Sequence, residues 1–281
     1  ENNSVQQGKA REERFPQREH LSLSLLSALL LPLPTDGGNL AAERYQPPVD
    51  VQWHIQLQGE VNIGYDVDLY VVDLFDTEES VIDDLQAAGK KVICYFSAGT
   101  YENWRPDRYR FLPTDKGRRL GNWPGERWLD IRSLNVRKRM ADRIELAAEK
   151  GCDGVDPDNV DGYTNQTGFP LNSRQQLSYN RFLFRTAHKY GMAVSLKNDL
   201  QQVNELVDYA DFAVNESCHE WRECHLLQPF IDAGKPVLHI DYRFSQDATG
   251  RGYHCEHMNA LGFQSLTLPL ALDDSYRFSC F

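Results

Sequence analysis

The 281-residue sequence lacks the glycine motifs of nucleotide-binding proteins and the residue spacings of several common hydrolase and metal sites. Neither GxGxxG nor GxxxxGKS/T is present, which argues against a Rossmann-type or P-loop nucleotide site. No GxSxG motif indicates a serine nucleophile, and no CxxC or HxxxH pair indicates zinc ligands. The sequence therefore gives no reason to expect a cofactor.

Positive charge is also scarce, with 30 Lys and Arg against 41 Asp and Glu and a formal net charge of −11. Binding to nucleic acid requires clustered cations, so nucleic acid is not expected as a partner. An acidic cleft instead concentrates cationic ligands. The 13 Tyr and 5 Trp are side chains that suit a sugar-binding groove, although most aromatic residues simply fill a core.

No apolar run is long enough to cross a bilayer, and the strongest one is residues 21–31. This run resembles the apolar region of a secretory signal, with Arg11, Arg14 and Arg18 before it. Acidic residues among these arginines and a first residue other than Met are atypical of such a signal. We therefore expect residues 1–45 to be a leader or a disordered segment without a stable membrane span. Residues 46–281 are expected to form the folded, extracellular domain.

Six cysteines indicate an oxidising compartment if they are paired. Two disulfides are predicted because their cysteines bracket short segments: Cys218–Cys224 and Cys255–Cys280. Cys94 lies within an apolar strand and Cys152 just before another, so both are expected to be small buried hydrophobic residues. The alternative is a reduced protein with scattered thiols. The Cys-His dipeptides at 218 and 224 lack the spacing of a four-ligand zinc site, and no metal is expected.

From residue 46 onward, short β-rich runs alternate with helical patterns. Eight strands are predicted at 53–57, 69–74, 92–97, 154–156, 193–196, 212–215, 237–241 and 264–268. Helices are predicted at 78–88, 135–150, 173–190, 200–209, 222–233 and 252–261, several of them ended by a glycine. Repeated strand–helix units imply a parallel sheet, and eight units match an α/β fold of the (β/α)8 TIM-barrel type. A doubly wound open sheet is the alternative.

The longest connection, residues 98–130, is predicted to be a loop insertion after an early strand. It is rich in Trp, Pro, Gly and charged residues. Long insertions of this kind tend to form one wall of an active site. Trp128 is expected to anchor the loop to the barrel, whereas Trp104 and Trp123 could serve as anchors or as a binding surface.

Nearly every predicted strand ends in polar residues, which a (β/α) barrel gathers at one rim. These residues are Gln58, Asp73, Ser97, Asp156, Asp158, Lys197, Asn198, Asp199, Asn215, Glu216, Asp241 and Tyr242. Two facing carboxylates are the usual means of cleaving a glycosidic bond, and Asp158 and Glu216 fit by residue type and place. Asp156 points the same way as Asp158 if the strand continues that far, and Lys197 can hold a carboxylate ionised.

The acidic run permits a second interpretation as a metal site. Asp156, Asp158, Asn159 and Asp161 supply clustered oxygen atoms of the kind that bind Ca²⁺ or Mg²⁺. The Gly and Glu positions of an EF-hand loop are absent. A metal-dependent hydrolase or deacetylase therefore stays open as an alternative, and so does a barrel that binds amino sugars without cleaving them.

Seven stretches carry a resemblance to a known family. They are LYVVDL from Leu69, KVICYFSAGTYENWRPD from Lys91, NWPGERWLDIRS from Asn122, GCDGVDPDNVDGY from Gly151, VSLKND from Val194, DFAVNESCHEW from Asp211 and KPVLHIDY from Lys235. Together they resemble glycoside hydrolase family 114, the endo-α-1,4-polygalactosaminidases. The motifs are long and ordered, and they cover roughly residues 50–270.

This resemblance implies a secreted barrel enzyme that cleaves α-1,4-linked galactosamine polymers within the chain and with retention. The chain is expected to be a monomer. The second Asp of DPDN and the Glu of NE correspond to Asp158 as nucleophile and Glu216 as general acid/base. Other rim residues are assigned to substrate binding: Asp73, Tyr95, Asp156, Asn159, Lys197, Asn198, Asp241 and Tyr242. The expected partner is a cationic or partly deacetylated galactosamine polysaccharide, which an acidic rim attracts, and no cofactor or metal is expected.

Overall fold

The computed structural model describes residues 44–244 and 246–281. The predicted leader, residues 1–45, therefore lies outside the described residues except for its last two. Within the described ranges, no helix is both long enough and apolar enough to cross a membrane.

The strands follow the predicted alternation closely. They are β1 (Trp53–Gln56), β2 (Leu69–Asp73), β3 (Lys91–Ser97), β4 (Thr100–Glu102), β5 (Lys116–Arg119), β6 (Glu126–Leu129), β7 (Gly154–Asp158), β8 (Ala193–Lys197), β9 (Phe212–Glu216), β10 (Val237–Asp241), β11 (Gln264–Thr267) and β12 (Phe278–Ser279). All eight predicted runs are strands, and the run that begins at Gly154 continues to Asp158, so Asp156 and Asp158 do share one face.

The helices are α1 (Glu79–Ala87), α2 (Leu134–Glu149), α3 (Ser173–Lys189), α4 (Val203–Leu206), α5 (Cys218–Trp221), α6 (Gln228–Asp232) and α7 (Ala248–Ala260). The long predicted helices α2 and α3 are present, and side chains cap their first turns. Ser133 accepts a hydrogen bond from the Val136 amide, and Asn172 forms a capping box with Gln175. The two helices predicted at 200–209 and 222–233 are instead short α and 3₁₀ turns.

One curled sheet joins the strands in the order β1-β2-β3-β7-β8-β9-β10-β11-β12. Every pair in it is parallel except β11 with β12, which confirms the predicted α/β class. Among the described residues β1 and β11 share no backbone ladder, but their ends meet through side chains. Trp53 Nε1 donates to the Gln264 carbonyl (3.0 Å), and Arg277 Nη2 donates to the Trp53 carbonyl (2.9 Å).

Two apolar clusters lie on the two faces of this sheet because strand side chains alternate. Leu69 and Val71 of β2 pack in the inner cluster with side chains of β1, β3 and β8–β11. Tyr70 and Val72 of the same strand pack in the outer cluster, against helices α1–α3. Each strand therefore has a phase, meaning which of its alternate residues face the inside of the barrel. This phase decides whether the last residue of the strand points into the barrel or toward the helices.

The insertion at 98–130 is more ordered than the loop that the sequence predicts. Strands β4, β6 and β5 form a small antiparallel sheet. Arg105 ties this sheet to the barrel, since its guanidinium donates to both carboxylate oxygens of Asp73 (2.8 and 2.6 Å) and its Nε donates to Glu102 (2.8 Å). The bidentate pair is buried and fixes the insertion over the carboxyl end of β2.

Three disulfides cross-link the described chain, and two of them confirm the predicted pairs Cys218–Cys224 and Cys255–Cys280. The expectation that Cys94 and Cys152 are unpaired hydrophobic residues is wrong, because they form the third bond. Both are buried, as expected. Cys94 lies on β3, which pairs directly with β7, and Cys152 lies just before β7, so their Cα atoms are 6.0 Å apart.

Candidate active site

A cavity of about 630 Å³ opens at the carboxyl ends of the barrel strands. Seven carboxylates and two cationic side chains line it. The acidic side chains are Asp73, Asp76, Glu102, Glu126, Asp158, Asp161 and Glu216, and the cationic ones are Arg105 and Lys197. This is the rim at which (β/α) barrels place their functional groups, and it is strongly acidic.

The chain turns sharply where three neighbouring strands reach this rim. Asn159, Asn198 and Ser217 directly follow β7, β8 and β9, and each has a left-handed backbone with φ of 59°, 50° and 61°. Such a backbone costs a residue other than glycine roughly 1 kcal/mol and is concentrated at functional sites. Gly99 packs beneath one of these turns, where an added Cβ would lie 1.7 Å from the Asn159 carbonyl oxygen.

Asp158, the last residue of β7, points into the cavity and is held by two donors. The Tyr95 hydroxyl donates to Oδ2 (2.8 Å), and the Asn159 amide donates to Oδ1 (2.6 Å). Tyr95 comes from the inner face of β3, directly beside β7. One carboxylate oxygen therefore faces a phenol and the other a backbone amide, which fixes the orientation of the group.

Glu216, the last residue of β9, is held in a similar way. Asn198 Nδ2 donates to Oε2 (3.1 Å), and the Tyr242 hydroxyl donates a short hydrogen bond to Oε1. Burial raises the pKa of Glu216, but Lys197 and Tyr242 outweigh this effect and hold that pKa below its usual range. Glu216 is therefore a carboxylate in the unliganded site at neutral pH.

Lys197 ends β8, between the strands of the two acids, and only 2% of its side chain is exposed. Its Nζ lies 3.7 Å from an oxygen of each of three carboxylates: Asp156, Asp158 and Glu216. Burial lowers the pKa of an ammonium, but these carboxylates outweigh burial and raise the pKa of Lys197. Because both contact the same atom, the Asp158 and Glu216 oxygens lie within twice that distance of each other.

The structure brings eight of the ten predicted site residues to the cavity wall and leaves two away from it. The eight are Asp73, Tyr95, Asp158, Asn159, Lys197, Asn198, Glu216 and Tyr242. Asp156 is fully buried beneath them, where Ser195 Oγ donates to it and burial raises its pKa to about 6. Asp241 faces the opposite side of the sheet and accepts hydrogen bonds from Arg243.

The predicted metal alternative in the acidic run is not supported by the geometry. Asp156 and Asp158 converge on the Lys197 ammonium. In the described part of the chain, these acids and Asp161 do not form a three-ligand group that could hold a metal. Asp73, one of the predicted substrate-binding residues, lines the cavity but is already paired with Arg105.

Four acidic residues of the cavity are absent from the predicted site residues, and two of them, Asp76 and Glu102, pair with arginines. Asp161 and Glu126 form no ion pair with any described residue. Burial, with nearby carboxylates adding to it, raises the pKa of Asp161 to about 6 and that of Glu126 to about 7. Both lie within stretches that carry the family resemblance, but the sequence suggests Asp161 only as a metal ligand and gives no reason to direct Glu126 into the cavity.

Aromatic side chains form the outer walls of the cavity. Trp104 and Trp123 of the insertion and Trp221 of α5 line it with exposed rings, and Trp221 is 69% exposed. Trp128 is buried, which agrees with its predicted anchoring role. Exposed indole rings around a polar cavity offer apolar faces on which sugar rings can stack. The arrangement can therefore bind a sugar chain across two converging carboxylates.

Comparison with known proteins identifies one family and several similar structures. The sequence profile described as glycoside-hydrolase family GH114 matches residues 37–280. The crystal structure of Ega3 from Aspergillus fumigatus in complex with galactosamine is 39% identical, with a TM-score of 0.81 over 86% of this chain and 100% of that chain.

A more distant solved structure shares the fold. The glycoside hydrolase domain of PelA from Pseudomonas aeruginosa is 14% identical, with a TM-score of 0.65 over 80% of this chain and 96% of that chain. No match was found among curated proteins.

Proposed function

We propose, from the premise that this chain belongs to glycoside hydrolase family GH114, that it cleaves α-1,4-linked galactosamine polysaccharide at internal bonds. The chain is a glycosidase by its family. The substrate is inferred from the acidic, tryptophan-walled cavity and from the galactosamine in the Ega3 complex.

The observation that carries the proposal is the convergence of Asp158 and Glu216 on Lys197 at the floor of the cavity. Glycosidic cleavage uses one carboxylate against the anomeric carbon and one group that protonates the leaving oxygen. Lys197 is enclosed beneath both acids, so it holds them in place by charge attraction without needing to contact the sugar.

In the first step, Asp158 attacks the anomeric carbon while Glu216 delivers a proton to the leaving oxygen. The hydrogen bonds from Tyr95 and Asn159 orient the Asp158 carboxylate for this attack. Retention requires the two carboxyl groups to be about 5–5.5 Å apart. The shared contact with Lys197 allows that separation.

In the second step, Glu216 acts as a carboxylate base that takes a proton from water, and the water releases the sugar from Asp158. The lowered pKa of Glu216 suits this role. The same shift limits the first step, because less Glu216 is protonated at neutral pH. We therefore expect activity to be greatest under acidic conditions.

The ammonium groups of galactosamine are recognised by Asp161 and Glu126, the cavity acids that lack a cationic partner among the described residues. Their raised pKa values, about 6 and about 7, reflect burial and crowded negative charge that an ammonium relieves. Secretion is part of the proposal, since three disulfides require an oxidising compartment.

The direct test is release of reducing ends from an α-1,4-galactosamine polymer. Asp158→Asn and Glu216→Gln should each lower kcat by at least about 10³-fold, because each removes one of two essential carboxylates. Matched surface variants, Asp66→Asn and Glu145→Gln, should retain full activity. Proton NMR of the first product should show the α-anomer.

Three outcomes would contradict parts of this proposal. Polymer binding without any release of reducing ends would indicate a binding protein. Loss of activity in EDTA, while circular dichroism shows the chain still folded, would indicate a metal-dependent hydrolase. A β-anomeric first product would exclude Asp158 as nucleophile and indicate inversion.

A further inference from the structure

A second cavity, of about 600 Å³, lies away from the cleft beside α7. His219, Arg243 and His257 are among the residues that line it. Directly behind His219 and Arg243 lie Asp241 and His254, both buried. The proposed glycosidase mechanism uses none of these residues.

We propose that His219, Asp241 and His254 form a binding site for a divalent transition-metal ion, with Zn²⁺ as the best fit. One ligand atom from each residue lies within 4.8 Å of the other two. Ligand atoms around tetrahedral Zn²⁺ lie about 3.3 Å apart, so small side-chain rotations complete the set. Two imidazoles and a carboxylate are a known zinc ligand set, with the fourth position left to water.

The unpartnered nitrogen of His254 is an independent indication of a ligand. His254 is 1% exposed, and its Nδ1 is buried with no hydrogen-bond partner. Its Nε2 lies 3.0 Å from Ser265 Oγ. A proton on Nε2 donated to that hydroxyl leaves a lone pair on Nδ1, which is the arrangement found in metal-binding histidines.

The position of the Arg243 guanidinium shows that a positive charge is stable between Asp241 and His219. Its Nη2 lies 2.9 Å from Asp241 Oδ2 and 3.1 Å from His219 Nδ1. A guanidinium can only donate, so His219 Nδ1 carries a lone pair directed at the same position as the carboxylate. The Arg243 side chain is 35% exposed and also reaches Glu220 (3.5 Å), so it can move aside when a metal binds.

The backbone around the ligands is already cross-linked. His219 follows Cys218, which is bonded to Cys224, and His254 precedes Cys255, which is bonded to Cys280. Asp241 ends strand β10 of the sheet. Rigid supports of this kind lower the cost of assembling a metal site. The other cluster with metal-ligand spacing, Cys218, Cys224 and His239, is excluded because its sulfurs are in a disulfide.

The test is equilibrium dialysis of the full chain against zinc chloride, with bound zinc measured by mass spectrometry. One zinc per chain is expected. His254→Gln and Asp241→Asn should each weaken binding by about 100-fold or more, because each removes a ligand. The control His225→Gln, a histidine of the same cavity outside the ligand set, should bind zinc as the unmodified chain does.

Arg243→Gln provides the complementary test because it removes the competing cation and no ligand. It should bind zinc about tenfold more tightly, and Co²⁺ should give the visible absorption of a four-coordinate site. Circular dichroism checks that each variant is folded. If the ligand variants do not fold, unchanged zinc affinity in Arg243→Gln overturns the proposal.

Two further results overturn the zinc-site proposal. One is the absence of zinc binding by the unmodified chain. The other is a zinc affinity of folded His254→Gln and Asp241→Asn equal to that of the unmodified chain. The result is independent of the glycosidase proposal, because zinc uptake is measured without substrate. The inactive variant Glu216→Gln should bind one zinc in the same assay.

Discussion

Lys197 is the counter-ion that holds Glu216, one of the proposed catalytic pair, in its charged form. It is enclosed by three carboxylates and exposes only 2% of its side chain. An ammonium in this position stabilises the ionised form of every acid around it. The carboxylates in turn keep Lys197 charged, so the four groups depend on one another.

Replacing Lys197 by Met should destabilise the protein by about 3–5 kcal/mol at pH 7, since three buried or half-buried acids lose their counter-ion. The loss should be smaller at pH 5, because burial raises the pKa of Asp156 to about 6 and this acid is then mostly neutral. Urea unfolding at both pH values measures the difference. The exposed variant Lys138→Met should show no effect, and an equal loss at both pH values for Lys197→Met would contradict this account.

Tyr242→Phe should move the alkaline limb of kcat/KM to higher pH. The Tyr242 hydrogen bond is one of the effects that lower the pKa of Glu216, so its removal raises that pKa. Glu216 then stays protonated, and able to act as an acid, over a wider range. The measurement is kcat/KM against pH on galactosamine oligomers, with Tyr209→Phe as the matched control. A limb that does not move would argue against Glu216 as the general acid.

At the scale of elements, the small sheet β4-β6-β5 is a wall of the cleft that depends on buried ion pairs. Arg105 binds Asp73 and Glu102 while 5% of its side chain is exposed. The wall carries Trp104 and Trp123, and its attachment fixes the width of the cleft.

Arg105→Met should lower the free energy of unfolding by about 3–5 kcal/mol, because it leaves the buried Asp73 without a cation and removes one of the two cations that pair with Glu102, the other being Arg143. It should also raise KM, since the wall is no longer fixed to the barrel. Urea titration and steady-state kinetics measure the two effects. Arg127→Met, in the same small sheet but exposed, is the control. Comparable losses of unfolding free energy in the two variants would show that the buried ion pairs of Arg105 do not determine the stability of this wall.

The disulfide Cys94–Cys152 connects neighbouring barrel strands and should stabilise the fold more than the disulfide Cys218–Cys224 does. It closes a 58-residue separation, so its removal as a Cys94→Ala/Cys152→Ala pair should cost about 4 kcal/mol. Cys218–Cys224 closes only 6 residues, and the corresponding double variant should lose about 2 kcal/mol. Thermal unfolding of both double variants shows which one loses more stability. A larger loss in the Cys218/Cys224 variant would contradict the loop-closure argument.

At the scale of the whole molecule, the negative charge is concentrated where the substrate is expected. The formal net charge is −11, and the cleft alone has seven carboxylates against two cations. A cleft of one sign focuses the field and attracts ligands of the other sign. A polymer of deacetylated galactosamine carries one ammonium per sugar and fits that field.

KM for deacetylated oligomers should therefore rise with sodium chloride, because salt screens the attraction between exposed charges. N-acetylated oligomers of equal length carry no ammonium and should show little salt dependence. The comparison of the two substrates over one salt series controls for general effects of ionic strength. A flat KM for the deacetylated oligomer would remove electrostatic recognition from the proposed function.

The sequence by itself determined the eight strands, the α/β class and two of the three disulfides, because strand and helix periodicity and short-range cysteine spacing are local properties. It also placed Asp158 and Glu216 at strand ends, which a barrel brings to one rim. The family motifs gave the same pair. The tertiary structure placed both acids against Lys197.

Only the tertiary structure decided which face each strand end presents and which distant residues meet. Asp241 is at a strand end like Asp158, but β10 begins with Val237 on the outer face, so Asp241 points away from the cleft. Cys94 and Cys152 meet because β3 and β7 pair directly, although the inserted strands β4–β6 lie between them in the sequence. Strand phase, register and the pairing of remote segments are set by packing of the whole chain, and local sequence does not encode them.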